Sequence, residues 1–222
     1  MSETVLVIAP HPDDETLGCG GTILRHKARG DAVHWLIMTR PGDDTLEVEM
    51  RLRERQVEAV AEVYGFDSVQ RVGFPTATLD TVPAGDLISV IGSTIEETGA
   101  TTLYLPHRHD VHSDHRAVFQ AAYVCTKPFR YPSVRRVLCM EIPSDTELVP
   151  PGGDAAFLPN HYVDVTRFMD GKIRALCAYG TECGEHPFPR SERTVRALAD
   201  WRGAAAGCEC AEAFMLMREV LR

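Results

Sequence analysis

The chain has no basic arm or stripe. Its 23 Lys and Arg are outnumbered by 32 Asp and Glu, the formal net charge is −9, and the two signs are interspersed. A surface of that sign repels phosphates, so nucleic acid and anionic membranes are not expected partners. Long hydrophobic runs are also missing. The first apolar stretch, Thr4 to Ala9, stops at Pro10-His11-Pro12-Asp13-Asp14. It is too short for a membrane span or a signal peptide, and no basic segment precedes it. Cysteine pairing motifs are absent too. The seven cysteines are an odd number, most in apolar contexts (Cys125, Cys139, Cys177), and Cys208-Glu-Cys210 has no second pair to complete a zinc knuckle. Free thiols point to a reducing, cytoplasmic location. No internal repeat and no low-complexity tract is found.

What the chain does have is a strand–helix alternation. With 222 residues, 44% hydrophobic and 25% charged, it fits one α/β domain that needs no staples. The β-branched run Thr4–Ala9 reads as a strand buried on both faces. A polar turn, then Gly20-Gly21 and a helix from Thr22 to Arg29 follow, closed by Gly30. Further strands are expected at Ala32–Thr39, Val69–Val72, Thr101–Leu105, Ser133–Ile142 and Tyr162–Val165. Helices are expected at Val48–Tyr64, Ala84–Glu97, Asp114–Thr126, Thr166–Tyr179 and Glu192–Ala206. In the helix ending at Tyr64, Leu52, Val57, Val60 and Ala61 should share its buried face. Periodicity does not decide whether Ala211–Val220 is strand or helix, and the Pro- and Gly-rich stretch 143–159 reads as a surface loop. The sum is a mostly parallel, Rossmann-like sheet with helices on both faces. A single domain over 1–222 is expected, with a core at 1–142 and a completing segment at 160–222.

Open parallel sheets place their sites at the carboxyl ends of strands. Two polar clusters fall there, far apart in sequence but on one rim. The first is His11-Pro12-Asp13-Asp14-Glu15, with three carboxylates in five residues. Like charges that close raise one another's pKa unless a cation sits among them. A divalent metal resolves the conflict, one carboxylate binding it while another faces its water. The second cluster, His107 to His115, holds four of the chain's nine histidines. His112 and His115, three apart at a helix start, share a face, and Ser113 is a candidate cap. A catalytic zinc takes three nitrogen or oxygen ligands and keeps one position open. His11, Asp14 and one histidine of the second cluster meet that need, and iron or cobalt would suit the same set. The bland alternatives are an acidic capping turn and a loop of solvated histidines. His107 and His109 read as rim or loop-bonding residues, and His26, His34 and His161 as ordinary core or surface histidines. Tyr64 and Phe66 read as packing.

The residues around both clusters resemble a known family. His11-Pro-Asp-Asp-Glu with Gly18-Cys-Gly-Gly-Thr, and His112-Ser-Asp-His115-Arg116, resemble the two metal motifs of the PIG-L/LmbE-like N-deacetylases. The likeness continues through Val163-Asp-Val-Thr166, Lys172-Ile-Arg-Ala-Leu176, Arg190-Ser-Glu-Arg193 and Ala211-Glu-Ala-Phe214, nearly the whole chain. Pro10 departs from the alanine common there, at the cost of one backbone donor. The resemblance implies a zinc site of His11, Asp14 and His115, with Asp13 as general base. It implies His112 as the protonated donor to the oxyanion, with Asp114 as its partner, and Arg53 and His186 as substrate contacts. A solvated helix face is the plain alternative for Arg53, and no site role the plain alternative for His186. The implied reaction removes an N-acetyl group from an N-acetylglucosamine-type derivative, whether a glycoside, a nucleotide sugar or a natural-product intermediate. Zinc polarises the carbonyl and activates water, Asp13 takes the proton, and Asp13 or His112 protonates the departing amine. Related proteins often form homo-oligomers, so one is expected here.

Three other functions compete. A nucleotide-dependent oxidoreductase would use Gly18-Cys19-Gly20-Gly21 as a phosphate loop. The third glycine of that fingerprint is missing at Ile23, and the ribose-binding acid is missing at Thr39. A metal-binding member without catalysis would not need both Asp13 and His112. A two-metal phosphoesterase would want more carboxylate ligands than the clusters provide. The loops 41–47, 75–83 and 144–159 are expected to shape the pocket.

Overall fold

The computed structural model describes residues 2–150 and 155–221. Strands and helices alternate through most of the chain: β1 (Thr4–Ala9), α1 (Asp14–Ala28), β2 (Ala32–Arg40), α2 (Glu47–Tyr64), β3 (Ser68–Pro75), α3 (Ala84–Thr98), β4 (Thr102–Leu105), α4 (Ser113–Val124) and β5 (Arg136–Met140). Then come β6 (His161–Asp164), α5 (Met169–Ala178), α6 (Glu192–Ala206) and β7 (Ala211–Glu219), with short 3-10 turns at Thr166–Phe168 and Gly180–Glu182. The seven strands form one sheet in the order β3-β2-β1-β4-β5-β7-β6. The first five are parallel, whereas β7 runs antiparallel to both β5 and β6.

Side-chain alternation along β1 divides the core. Val5, Val7 and Ala9 pack with Leu17 and Ile23 of α1, Val57 and Val60 of α2, and Ile173 of α5. Leu6 and Ile8 face the other way, against Leu87 and Ile91 of α3 and Val118 of α4. Both faces are covered, which is why β1 carries no polar residue after Thr4. Gly65 and Gly99 end α2 and α3 at φ of 65° and 66°, a left-handed turn that a Cβ would disfavour. Ser191 caps α6 by accepting the Thr194 N–H at 3.2 Å.

Several sequence expectations change. The helix expected from Thr22 begins at Asp14, and it is two helical pieces joined by a kink at Cys19 (φ −150°). The glycines there meet protein, not open space. A Cβ on Gly18 would lie 2.8 Å from the Met140 Cβ, and one on Gly21 2.7 Å from the Val165 Cβ. Periodicity spoke for helix only after this small-residue run, because glycines give no hydrophobic signal. Residues 211–219 are strand, and β3 extends past both expected ends. On α2, Leu52 is exposed, while Gln56 is buried with its Nε2 donating to the Tyr179 carbonyl at 2.8 Å. The cap of α4 is His112, not Ser113: its Nδ1 accepts the Asp114 N–H at 3.1 Å. The expected loop at 143–159 includes residues 151–154, which lie outside the described residues.

Candidate active site

Two strand ends build the site. β1 leads into residues 10–15 and β4 into residues 106–115, and the two strands are paired neighbours. The following helices leave on opposite faces, α1 onto the Val5 side and α4 onto the Leu6 side. A crevice opens where the winding direction reverses, which is where such sheets bind ligands.

Two carboxylates set the histidine tautomers. Asp114 accepts the Leu79 N–H at 2.9 Å and the Ala77 N–H at 2.7 Å, and His11 Nε2 lies 3.0 Å from it. Burial opposes its charge, yet His11 and these N–H groups hold its carboxyl below the usual range. Facing an ionised acceptor, His11 Nε2 carries the hydrogen and Nδ1 keeps a lone pair. His115 is fixed the other way round, with Nδ1 at 2.9 Å from Asp110, whose second oxygen accepts from the Thr146 hydroxyl at 2.7 Å. Its free nitrogen is therefore Nε2.

The free nitrogens face each other. His11 Nδ1 and His115 Nε2 are 3.4 Å apart, and Asp14 Oδ2 lies 3.3 Å from the first and 3.4 Å from the second. With both rings neutral, two imidazole lone pairs converge with Asp14 Oδ2, which also accepts the His11 backbone N–H at 2.7 Å, and a cation or a proton is drawn to the point between them. The ligand atoms of His11, Asp14 and His115 all lie within 4.8 Å of one another. Among the described residues, His11, His112 and Asp114 form a second such trio, but the Asp114 carboxylate is already engaged by two backbone N–H groups. Protons bind tightly at the first trio. Burial lowers the His11 pKa, but Asp114 and Asp14 prevail and raise it to about 9. Against the same desolvation, Asp14 and Asp110 hold His115 well above the usual range, and the two histidines hold Asp14 low. A metal must displace those protons, so its affinity falls in acid.

Asp13 stands beside the trio on the cleft wall. Its backbone has φ 138°, a strained value for a non-glycine residue. The turn is pinned by the Asp13 N–H donating to Glu15 Oε2 at 3.1 Å and by the Leu17 N–H donating to the Asp13 carbonyl at 2.9 Å. Burial, then the neighbouring Asp14, pushes the Asp13 carboxyl well up, and Arg190, whose Nη1 donates to it at 2.9 Å, pulls it down. Arg190 also meets Glu182 at 3.2 Å, and Glu182 pairs with Arg53 of α2. Glu15 turns away from the trio, accepting from Tyr179 Oη at 2.7 Å and Thr16 Oγ1 at 2.5 Å.

The cleft, of about 310 Å³, is lined by His11, Asp13, Thr39, Arg53, His112 and Glu182 among others. His11, Asp13 and His112 thus stand on the cleft wall, with Asp14, Asp114 and His115 buried directly behind them. Asp114 meets His112 through its backbone N–H, which donates to His112 Nδ1 at 3.1 Å, while its carboxylate bonds His11 and lies 4.0 Å from that nitrogen. Because that Nδ1 accepts a backbone N–H, His112 is a neutral ring with its hydrogen on Nε2. Burial and the two nearby histidines lower its pKa, against the protonated form expected from the resemblance. Arg53 lines the cleft, its Nη1 buried without a partner. His186 is exposed and is not among the cleft-lining residues. His107 is buried, its Nε2 3.1 Å from the Ala155 carbonyl. Sequence reasoning missed Arg190, Glu182 and Asp110 as site residues. Asp110 lay inside the histidine cluster, whereas only the Arg190-Ser-Glu-Arg193 likeness marked Arg190.

Residues 6–126, more than half of the chain, match the family described as PIG-L: GlcNAc-PI de-N-acetylase. The chain belongs to the PIG-L family. Its curated relatives include a probable N-acetyl-alpha-D-glucosaminyl L-malate deacetylase 2 of Bacillus anthracis, 28% identical over 53% of this chain and 56% of that protein. A diacetylchitobiose deacetylase of Thermococcus kodakarensis is 26% identical over 94% of this chain and 80% of its own length. Among solved structures, a conserved protein from Thermus thermophilus superposes with a TM-score of 0.79 at 27% identity, covering 100% of this chain and 97% of that one. Within this PIG-L chain, the run Gly18-Cys19-Gly20-Gly21 packs into the sheet. The helical piece it opens is capped from within: Glu212 accepts the Gly21 N–H at 2.9 Å and the Thr22 N–H at 2.7 Å. A pyrophosphate has no place there. No helix among the described residues is long and apolar enough to cross a membrane.

Proposed function

We propose that this PIG-L protein is a zinc-dependent hydrolase that removes the acetyl group from the amino group of an N-acetylglucosamine-type sugar. The convergence of His11 Nδ1, Asp14 Oδ2 and His115 Nε2 beside the cleft carries the reading. Two histidines and one carboxylate with an open side are the ligand set of a catalytic zinc. When bound, zinc lowers the pKa of water to about 7 and polarises a carbonyl. Asp13, adjacent to a ligand and facing the cleft, takes the proton of the attacking water, and Arg190 keeps its carboxylate aimed. His112 offers an Nε2 hydrogen to the developing oxyanion, and the proton held on Asp13 returns to the departing amine. Arg53, on the cleft wall, suits a sugar hydroxyl. The deacetylase names of the relatives support amide hydrolysis over any other use of the trio. We place the protein in the cytoplasm on its seven free cysteines.

The test is amine release from N-acetylglucosamine and its glycosides, with and without chelator. Zinc-loaded wild type should release free amine, and chelation should stop it. Asp13→Asn should bind zinc to the same stoichiometry and lose about 10²–10⁴ in kcat, the general-base range. Full turnover by a zinc-replete Asp13→Asn protein would remove Asp13 from the mechanism.

A further inference from the structure

A second cavity adjoins the cleft, and its walls differ in kind. It has about 200 Å³, exceeding the cavity of about 150 Å³ that holds benzene in a protein interior. Pro12, Thr39, Arg40, Pro41 and Arg53 line both spaces, so the two adjoin across these side chains. Beyond that boundary the lining becomes Ile37 of β2, Met50 and Val57 of α2, and the bare backbone of Gly73 on β3. Its charged residues do not serve the floor. Arg40 is bound to the Pro41 carbonyl and to Asp43, and Arg53 pairs with Glu182. Glu54 and Arg71 are exposed. A polar group pushed to the back would lose its water and find no partner there.

We propose that this compartment receives an apolar substituent of the substrate, an aryl or short alkyl aglycone on the acetylated sugar. The inference rests on the deacetylase reading above and adds the substrate class. Arg53 sets the direction. Because Arg53 lines both spaces, a sugar bound against it lies between the metal trio and the side cavity. The acetyl group then points to the metal, and the glycosidic substituent points past Arg53. An apolar group entering an apolar pocket leaves water without leaving any polar atom unpaired.

The experiment compares kcat/KM for free N-acetylglucosamine, its glyceryl glycoside and its phenyl glycoside, using zinc-loaded wild type, Met50→Trp and Met50→Glu. Met50 is half-buried at the cavity wall and absent from the cleft lining. In wild type the phenyl glycoside should exceed the glyceryl glycoside by about tenfold or more, the scale set by small apolar groups in pockets. Filling the cavity with Trp or charging it with Glu should bring that ratio toward one. Two variants of opposite character, each checked by circular dichroism, separate a filled pocket from a misfolded protein. A wild-type ratio near one, or a ratio untouched in both variants, overturns the compartment while leaving deacetylation standing. If no sugar releases amine, the deacetylase reading fails instead, and calorimetric affinities for the phenyl and glyceryl glycosides decide the compartment by the same ratio.

Discussion

Single side chains decide the chemistry through the hydrogens they hold elsewhere. Asp110 and Asp114 touch no cleft, yet each fixes which histidine nitrogen is free. Asp110→Asn should weaken zinc binding about 10–100-fold, the usual effect of losing such a partner. Competition with a fluorescent chelator measures it, and an unchanged affinity would show that the His115 tautomer is set by other contacts. Glu15 gives a different test. Burial pushes its carboxyl up to about 7, despite the Thr16 and Tyr179 hydroxyls and the Asp13 N–H that favour the ionised form. The folded protein therefore keeps this proton where the unfolded chain has lost it. Below the unfolded value near 4.3 the stability is fully present, and it declines as pH rises through about 7. Each unit of displacement is worth about 1.4 kcal/mol. Glu15→Gln cannot titrate, so urea midpoints between pH 4.5 and 7.5 should fall less in it than in wild type. Parallel pH curves would remove Glu15 as the source. The sequence revealed the acids as a conflict needing a cation. It could not reveal that Glu15 leaves the cluster, since its hydroxyl partner Tyr179 arrives from a distant helix end.

At the scale of elements, α1 is the telling case. The kink at Cys19 breaks the helix into two, and the second piece begins with N–H groups that no preceding turn can satisfy. Glu212 on β7 supplies the acceptor, and Lys172 of α5 holds it at 2.7 Å while donating also to the Leu17 carbonyl at 2.9 Å. All three elements are thereby locked around one buried ion pair. Glu212→Ala leaves a buried ammonium without its counter-charge and two buried N–H groups without acceptors, which should cost about 3–5 kcal/mol. Lys172→Met should cost less, because Glu212 keeps both N–H donors. Urea unfolding reads both, and equal losses would mean that the N–H groups contribute little. The glycine run was legible as a helix opening, but its purpose was not. Whether glycines receive a phosphate or a neighbouring strand depends on what packs there, and Met140 and Val165 are remote in sequence. The end of the chain was ambiguous for a related reason: Ala211–Glu219 buries residues on both sides where β5 and β6 flank it, which blurs the alternation that marks a strand.

At the scale of the molecule, the seven thiols report how the core closes. Cys19, Cys125 and Cys139 are buried and Cys177 is exposed. Burial pushes the Cys139 thiol up to about 12, so almost no thiolate forms there at neutral pH. In the native protein at pH 8, iodoacetamide should modify Cys177 and spare Cys19, Cys125 and Cys139 until urea unfolds the chain. Peptide mass mapping checks the order, and early labelling of Cys139 would mean that the β5 region opens locally. The sequence by itself determined the alternation of strands and helices, the sheet class, and the two clusters whose donors suit a metal. Those signals are local: apolar runs, helix-ending glycines and a crowding of like charges need no knowledge of the rest of the chain. Only the tertiary structure decided that β1 and β4 are neighbours at the reversal of the sheet. It alone decided which nitrogens are free, that Arg190 guards Asp13, and that β7 closes the sheet antiparallel. Apart from the Asp110–His115 bond, which spans five residues, these depend on groups far apart in sequence arriving within hydrogen-bond distance, and pairwise contact at that range leaves no period or composition in the chain to read.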